Sequence, residues 1–306
     1  MSGLLEGRVI IVTGGGRGVG RGIALNAASQ GARVIVNDIG IGPGGEVEGG
    51  TGPACDVVDE IKAAGGEAAA CYDSVSTWAS AQKIIQSALD NFGRIDGVVN
   101  NAGILKDTIF HKMPIEDFDQ VIDVNLKGVF YVSRAAAPYF KEQSSGAFVH
   151  MTSTSALIGN FGQVNYIAAK AGVAGMSRAI ALDMQRFGVT SNAIAPFAWT
   201  RMVNTIPTDT PEQKKRVEGL KKMIPEKIAP FVVALLSDEG RKRVNGQIFG
   251  VRNNEIFFFS QTRPIQIAQN GDGWTPETVI ERAFPMFEPH FYPLVRSGEV
   301  FSWDPC

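Results

Sequence analysis

The sequence predicts an α/β fold, a single domain built on one doubly wound parallel sheet, and two observations carry that expectation. Short β-branched runs alternate with longer alanine-rich amphipathic stretches, the pattern of successive βαβ units. A glycine cluster, TGGGRGVG, stands directly after the first of these runs and opens the first helical stretch.

In chain order the strand candidates are RVIIVT (8–13), RVIVND (33–38), EAAACY (67–72), DGVVNN (96–101), AFVHMT (147–152), VTSNAIA (189–195) and QIFGV (247–251), about seven strands in all. Between them, 18–30, 54–64, 78–91, 116–143 and 164–187 repeat apolar residues every three or four positions and are expected to be helices. The glycine-rich stretch 39–53, IGIGPGGEVEGGTGP, is expected to be a mobile or ligand-ordered loop. The polar stretch 204–226 reads as a lid. It holds Lys214, Lys215, Arg216, Lys221 and Lys222, which suit either a solvated helical face or the phosphates of a bound ligand. Regular alternation stops near Val251, so 1–251 is expected to be the working domain. The remainder, 252–306, has aromatic and proline content without clear period, and reads as an extension packed on the same domain or on a neighbouring subunit.

Composition narrows the function. The 306 residues are 44% hydrophobic and 20% charged, ordinary for a chain with a large core. With 29 basic and 31 acidic side chains the formal charge is -2, which gives no general attraction to nucleic acid or an anionic membrane. Cys55, Cys71 and Cys306 fit neither a disulfide framework nor a zinc site, and His111, His150 and His290 have no metal-ligand spacing, so no metal is expected. The start of the chain lacks the features of a secretory leader, and no run approaches the ~18 apolar residues of a spanning helix; the expectation is a cytoplasmic protein.

Several residues suggest chemistry. Gly14, Gly18 and Gly20 let backbone approach a pyrophosphate at a helix N-terminus, although a glycine turn can also serve strand–helix packing alone. Asp38 ends the second strand eighteen residues beyond Gly20. A carboxylate there accepts from adenosine ribose hydroxyls and favours NAD over NADP; its plainer role is to end a strand. Arg17 opposes that preference, because a cation in the loop suits a 2′-phosphate. Tyr166 and Lys170, four apart, share one helix face, where an ammonium favours phenolate. Such a pair is common on surfaces, but Ser153 lies thirteen residues earlier at a strand end, where open α/β sheets place ligands. Asn125 in IDVNLKG either interrupts its helix to orient water or sits on a solvated face. Asn101, Ala102 and Gly103 close the fourth strand with small, turn-forming residues.

Together TGGGRGVG, NNAG, IDVN, Ser153, Tyr166-x-x-x-Lys170 and the 196–200 stretch resemble the short-chain dehydrogenases in order and spacing, over residues 5 to about 250. The resemblance implies a Rossmann-type fold and an NAD(P)-dependent oxidoreductase with a small-molecule substrate, assembled as a homodimer or homotetramer through the Asn125 and Tyr166 helices. It implies that Tyr166 is the general acid/base, Lys170 its modulator and a ribose ligand, Ser153 the holder of the substrate oxygen, and Asn125 the holder of a relay water. It further implies that Val19 and Ser74 join the glycines in facing the cofactor, that Asp73 caps the adenine, and that Ile194 and Thr200 contact the nicotinamide. PFAWT departs from the family's usual Pro-Gly start and puts that last contact in doubt. VNDIG, GGEAAACYDSV, FGRIDGVVNNAGILKD and GNFGQVNYIAAKAG resemble, more narrowly, the 3-hydroxyacyl-CoA dehydrogenase region of the type 2 peroxisomal multifunctional enzymes. This implies a 3-hydroxyacyl-CoA substrate with a steroid or terpenoid acyl part among the options. A free hydroxysteroid or cyclic alcohol is the alternative, and an NAD(H)-binding sensor without turnover a remote one.

Overall fold

The structure, a computed structural model, describes residues 3–40, 52–198, 210, 214, 217, 218 and 220–305. Its centre is an eight-stranded sheet in the order β3-β2-β1-β4-β5-β6-β7-β8. The strands are β1 (Val9–Thr13), β2 (Arg33–Asn37), β3 (Glu67–Cys71), β4 (Gly97–Asn100), β5 (Gly146–Met151), β6 (Val189–Phe197), β7 (Ile248–Arg252) and β8 (Glu255–Phe258). Neighbouring pairs are parallel from β3 through β7, and β8 pairs antiparallel with β7.

Helices cover both faces, which is why β1, β4 and β5 are buried along their whole length instead of alternating. On one side Ile10, Val12 and Val36 pack with α1 (Gly18–Ser29), α2 (Pro53–Ala63) and α8 (Ala229–Leu236). The opposite parity of β1, Val9 and Ile11, packs with Ile84 and Ala88 of α3 (Trp78–Phe92) and with Val132 and Phe140 of α5 (Gly128–Gln143). After the short α6 (Thr154–Leu157), α7 (Val164–Met184) crosses the same side. No described helix is long and apolar enough to cross a membrane.

Two elements differ from the sequence expectation. The stretch 116–143 is not one uniform helix: α4 (Ile115–Ile122) passes through a π-helical turn, Asp123–Lys127, into α5, and Asn125 lies in that turn. The sheet has eight strands because EIFF adds an antiparallel edge. Its burial alternates, but the outward positions Ile256 and Phe258 are apolar too, so no polar–apolar period marks it in the sequence. β8 also ties the C-terminal segment to the sheet. Arg252 donates from Nη1 to the Trp303 carbonyl at 3.0 Å, and Trp303 Nε1 donates to Glu255 at 2.7 Å. Phe197, Phe257 and Phe301 pack ring to ring beside them. Farther along, Ser297 N–H donates to the Gly159 carbonyl at 3.0 Å.

Candidate active site

A cavity of about 800 Å³ opens at the carboxyl edge of the sheet, where strand order reverses between β1 and β4. Gly14, Arg17, Gly18 and Val19 form one wall, with Asp38, Asp73 and Ser74 beyond them. Asn101, Ala102 and Gly103 form the floor, and Ser153, Tyr166 and Lys170 stand at the other end.

The glycine turn is shaped by close approach. Gly14 and Gly18 have φ of +61° and +51°, in the left-handed region that side chains disfavour. A Cβ on Gly20 would stand 2.0 Å from the Gly14 carbonyl oxygen, so only glycine lets α1 begin this close to β1. Asn101 locks the turn to β4: its Nδ2 donates to the carbonyls of Thr13 and Gly14, both at 2.9 Å. Thr13 Oγ1 in return accepts from the N–H groups of Asn101 and Ala102, both at 3.1 Å. Asp38 is oriented by two backbone donors, Gly16 N–H to Oδ2 at 3.0 Å and Gly40 N–H to Oδ1 at 2.9 Å.

At the far end β5 clamps α7. Lys170 Nζ donates to the Met151 carbonyl at 2.8 Å, and Thr152 Oγ1 donates to the Lys170 carbonyl at 2.7 Å. The Lys170 ammonium lies 5.8 Å from the centre of the Tyr166 ring. Ser153, just past β5, accepts from Ser155 N–H at 3.1 Å and reaches the Tyr166 hydroxyl. Burial pushes Lys170 down to about 8. Burial likewise pushes the Tyr166 phenol up to about 12; the Ser153 hydrogen bond opposes this and the Asp107 charge adds to it. The direction for Tyr166 is opposite to that expected from the Tyr–Lys spacing, because desolvation of the phenolate dominates, while Lys170 spends one of its donors on the Met151 carbonyl.

Three expected residues do not reach the cavity. Gly20 stands behind the turn. Ile194 is fully buried in β6 two residues short of the edge, where Pro196 and Ala198 line the cavity instead. Asn125 is also fully buried, and it binds both backbone groups of Ile104. Thr200, Lys215, Arg216 and most of 39–53 lie outside the described residues. Conversely, the structure brings in Asn160 and Gln163, which sequence reasoning passed over. Gln163 stands three residues before Tyr166, and that spacing was the available signal.

The short chain dehydrogenase family model matches residues 8–211. A Mycobacterium tuberculosis protein assigned by name alone to the short-chain type dehydrogenases/reductases is 48% identical over 235 residues, 77% of this chain and 79% of that one. The mouse peroxisomal multifunctional enzyme type 2 is 41% identical over 279 residues, 90% of this chain, which spans only 36% of the mouse protein's length. A crystal structure of a short chain dehydrogenase from Mycobacterium avium superposes with a TM-score of 0.83 at 40% identity, covering 95% of this chain and 98% of that one. Sequence, fold and the family match over more than half its length agree that this chain belongs to the short-chain dehydrogenase family.

Proposed function

We propose that this oxidoreductase uses NAD to interconvert a secondary alcohol and a ketone on a 3-hydroxyacyl-CoA. The observation that carries the reading is the meeting of Ser153, Tyr166 and Lys170 in the same cavity as the Gly14–Gly20 turn. That turn fits a dinucleotide: the Cβ that Gly20 lacks would collide with backbone, and α1 begins beside it with its N-terminal amides. Arg17, Gly18 and Val19 would hold the pyrophosphate, Asp38 the adenosine ribose, Asp73 and Ser74 the adenine side, and Asn101, Ala102, Gly103 and Lys170 the second ribose. Pro196 and Ala198, which line the cavity where Ile194 does not, would stand behind the nicotinamide. When bound, the nicotinamide supplies hydride exchange with the substrate carbon.

This chain's own residues handle the oxygen and its proton. Ser153 accepts at Oγ from a backbone amide, and its hydroxyl hydrogen, which meets the Tyr166 oxygen in this structure, would turn to the substrate oxygen when substrate is bound. Tyr166 takes the alcohol proton during oxidation and returns it during reduction. Lys170, fixed by Met151, presents a positive charge that favours phenolate once the site is loaded. Asn125 holds the Ile104 backbone beside Gly103, and with Lys170 would order a relay water. A homodimer or homotetramer through the α4–α5 and α7 faces belongs to the same proposal; Phe130 on α5 and Leu182 on α7 are exposed in the single chain.

Acyl-CoA preference follows from relatedness at about 40% identity to the dehydrogenase region of the multifunctional enzymes. The test is turnover of NAD by the purified chain on 3-hydroxyacyl-CoA thioesters, free hydroxysteroids and cyclic terpenoid alcohols. The expected result is the highest kcat/KM on a thioester. A free steroid or cyclic alcohol used at least tenfold better would overturn the substrate class and leave the oxidoreductase in place.

A further inference from the structure

Gln163 is buried at the start of α7, lines the cavity, and is held on both sides. Its Nε2 donates to Asp107 Oδ2 at 2.7 Å, and its Oε1 accepts from Asn160 Nδ2 at 3.1 Å. Asn160 is fixed in turn by the Phe161 N–H, which donates to its Oδ1 at 3.0 Å. An amide offers two donor hydrogens, and the second hydrogen on Gln163 Nε2 meets no acceptor among the described residues. Burying such a donor costs free energy unless a ligand accepts from it. The Asp107 bond selects the amide orientation that puts nitrogen on the carboxylate side, because the reverse would set oxygen against oxygen.

Gln163 is the N-cap of α7, three residues before Tyr166, and both side chains line the same cavity. A ligand in that cavity that carries two oxygens on alternate carbons can offer one to Tyr166 and the other to the unused Gln163 hydrogen. We propose that Gln163, held by Asp107, donates to a carbonyl oxygen two carbons from the reacting carbon, and so selects 3-hydroxyacyl and 3-oxoacyl compounds over simple alcohols and ketones. This deepens the reading above, and rests on Tyr166 and Ser153 as the groups at the reacting oxygen. Asp107 is a positioning residue in it, acting through Gln163.

The test compares two isomers, ethyl 3-oxohexanoate and ethyl 5-oxohexanoate, which differ only in the distance between their carbonyls. Both are reduced with NADH by the full chain, alongside a 3-oxoacyl-CoA. The wild type is expected to prefer the 3-oxo ester at least tenfold in kcat/KM. Gln163→Leu should lose at least tenfold on the 3-oxo ester and on the thioester, and less than threefold on the 5-oxo ester. Asp107→Ala should lose the preference through KM, while Asp107→Asn, which keeps an oxygen to accept from Gln163, should restore it. Equal losses on the two esters, a wild type without the preference, or turnover of neither ester each overturn the proposal. Preference between esters with no use of the thioester leaves this role standing and refutes the CoA reading instead.

Discussion

Asn125 and Ile104 close on each other through both edges of one amide: Ile104 N–H donates to Asn125 Oδ1 at 2.8 Å, and Asn125 Nδ2 donates to the Ile104 carbonyl at 2.9 Å. The π-helical turn brings the side chain to that segment, and a Cβ on Gly103 would lie 3.2 Å from Oδ1. Asn125→Leu therefore strands a buried donor and a buried acceptor together. The expected loss is about 3 kcal/mol of folding stability, on the order of two unpaired buried groups. Urea unfolding measures it, and a loss under ~0.5 kcal/mol would show that the pair is not what holds this segment.

Much of this architecture was legible because the physics that builds it is local. The β1 and β2 runs show their burial in their β-branched content, and the glycine turn declares itself because Gly14, Gly18 and Gly20 occupy places a side chain cannot. The Tyr166 and Lys170 helix was legible from spacing. Not legible were features fixed by long-range partners. The π-helical turn at Asn125 depends on Ile104, twenty-one positions away, and nothing in IDVNLKG alone distinguishes it from plain helix. The eighth strand depends on β7 for its pairing, and it carries apolar residues on both its covered and its exposed face, which leaves no polar–apolar period. Gln163 gained its place from Asp107, fifty-six positions earlier. Phenol acidity at Tyr166 is set by desolvation, which residue order does not reveal.

Gly20→Ala tests the turn. The added methyl carbon would lie 2.0 Å from the Gly14 carbonyl oxygen and 2.6 Å from Asn101 Nδ2, so the turn must move. NADH affinity, followed by fluorescence titration, should fall at least tenfold while circular dichroism stays that of a folded α/β chain. Unchanged affinity would detach the turn from cofactor binding.

His150 predicts a pH dependence of stability. It is fully buried in β5, where Asn100 Nδ2 and Ser191 Oγ approach its two ring nitrogens, both at 3.1 Å. Burial first, and the Lys170 charge second, push its pKa down to about 3 from the usual 6.5. Between those values the unfolded chain binds a proton that the folded one does not, so stability rises with pH there. The contribution is complete above about 6.5 and is lost as pH falls toward 3. His150→Asn should flatten the slope of unfolding free energy between pH 6.5 and 5, a window above most carboxylate titrations; the wild-type slope approaches ~1.4 kcal/mol per unit. Identical slopes in both proteins would place the titrating group elsewhere.

With Tyr166 as the proposed acid/base, the two directions are expected to differ in pH behaviour. Reduction needs the phenol protonated, and with its pKa pushed up to about 12 by burial it stays so across the neutral range, so kcat/KM for a ketone should be flat from pH 6 to 7, below the range where Lys170 loses its proton. Oxidation needs the phenol to accept a proton and should speed up over the same interval. Tyr166→Phe should reduce both by roughly 10³ and leave NADH binding within threefold. A variant keeping more than a tenth of the rate would move the proton transfer to another group.

The last prediction is a preference for NAD over NADP, argued from Asp38. Both of its oxygens already accept from backbone amides, Gly16 N–H and Gly40 N–H, which hold the carboxylate at the cavity wall. Held there, it can accept from a ribose 2′-hydroxyl through its remaining lone pairs, whereas a 2′-phosphate meets a fixed like charge that cannot swing away without losing both amide bonds. Arg17 lines the same cavity and pulls in the other direction. Repulsion at the carboxylate and loss of the ribose hydrogen bonds act together against one attraction, so NAD should win by at least ~1.4 kcal/mol, a factor of about ten in kcat/KM. Both cofactors measured on one substrate decide the matter. Asp38→Ser should narrow the gap by removing the charge while keeping a hydroxyl for Gly16. Equal or better use of NADP by the unaltered chain would give control of the pocket to Arg17.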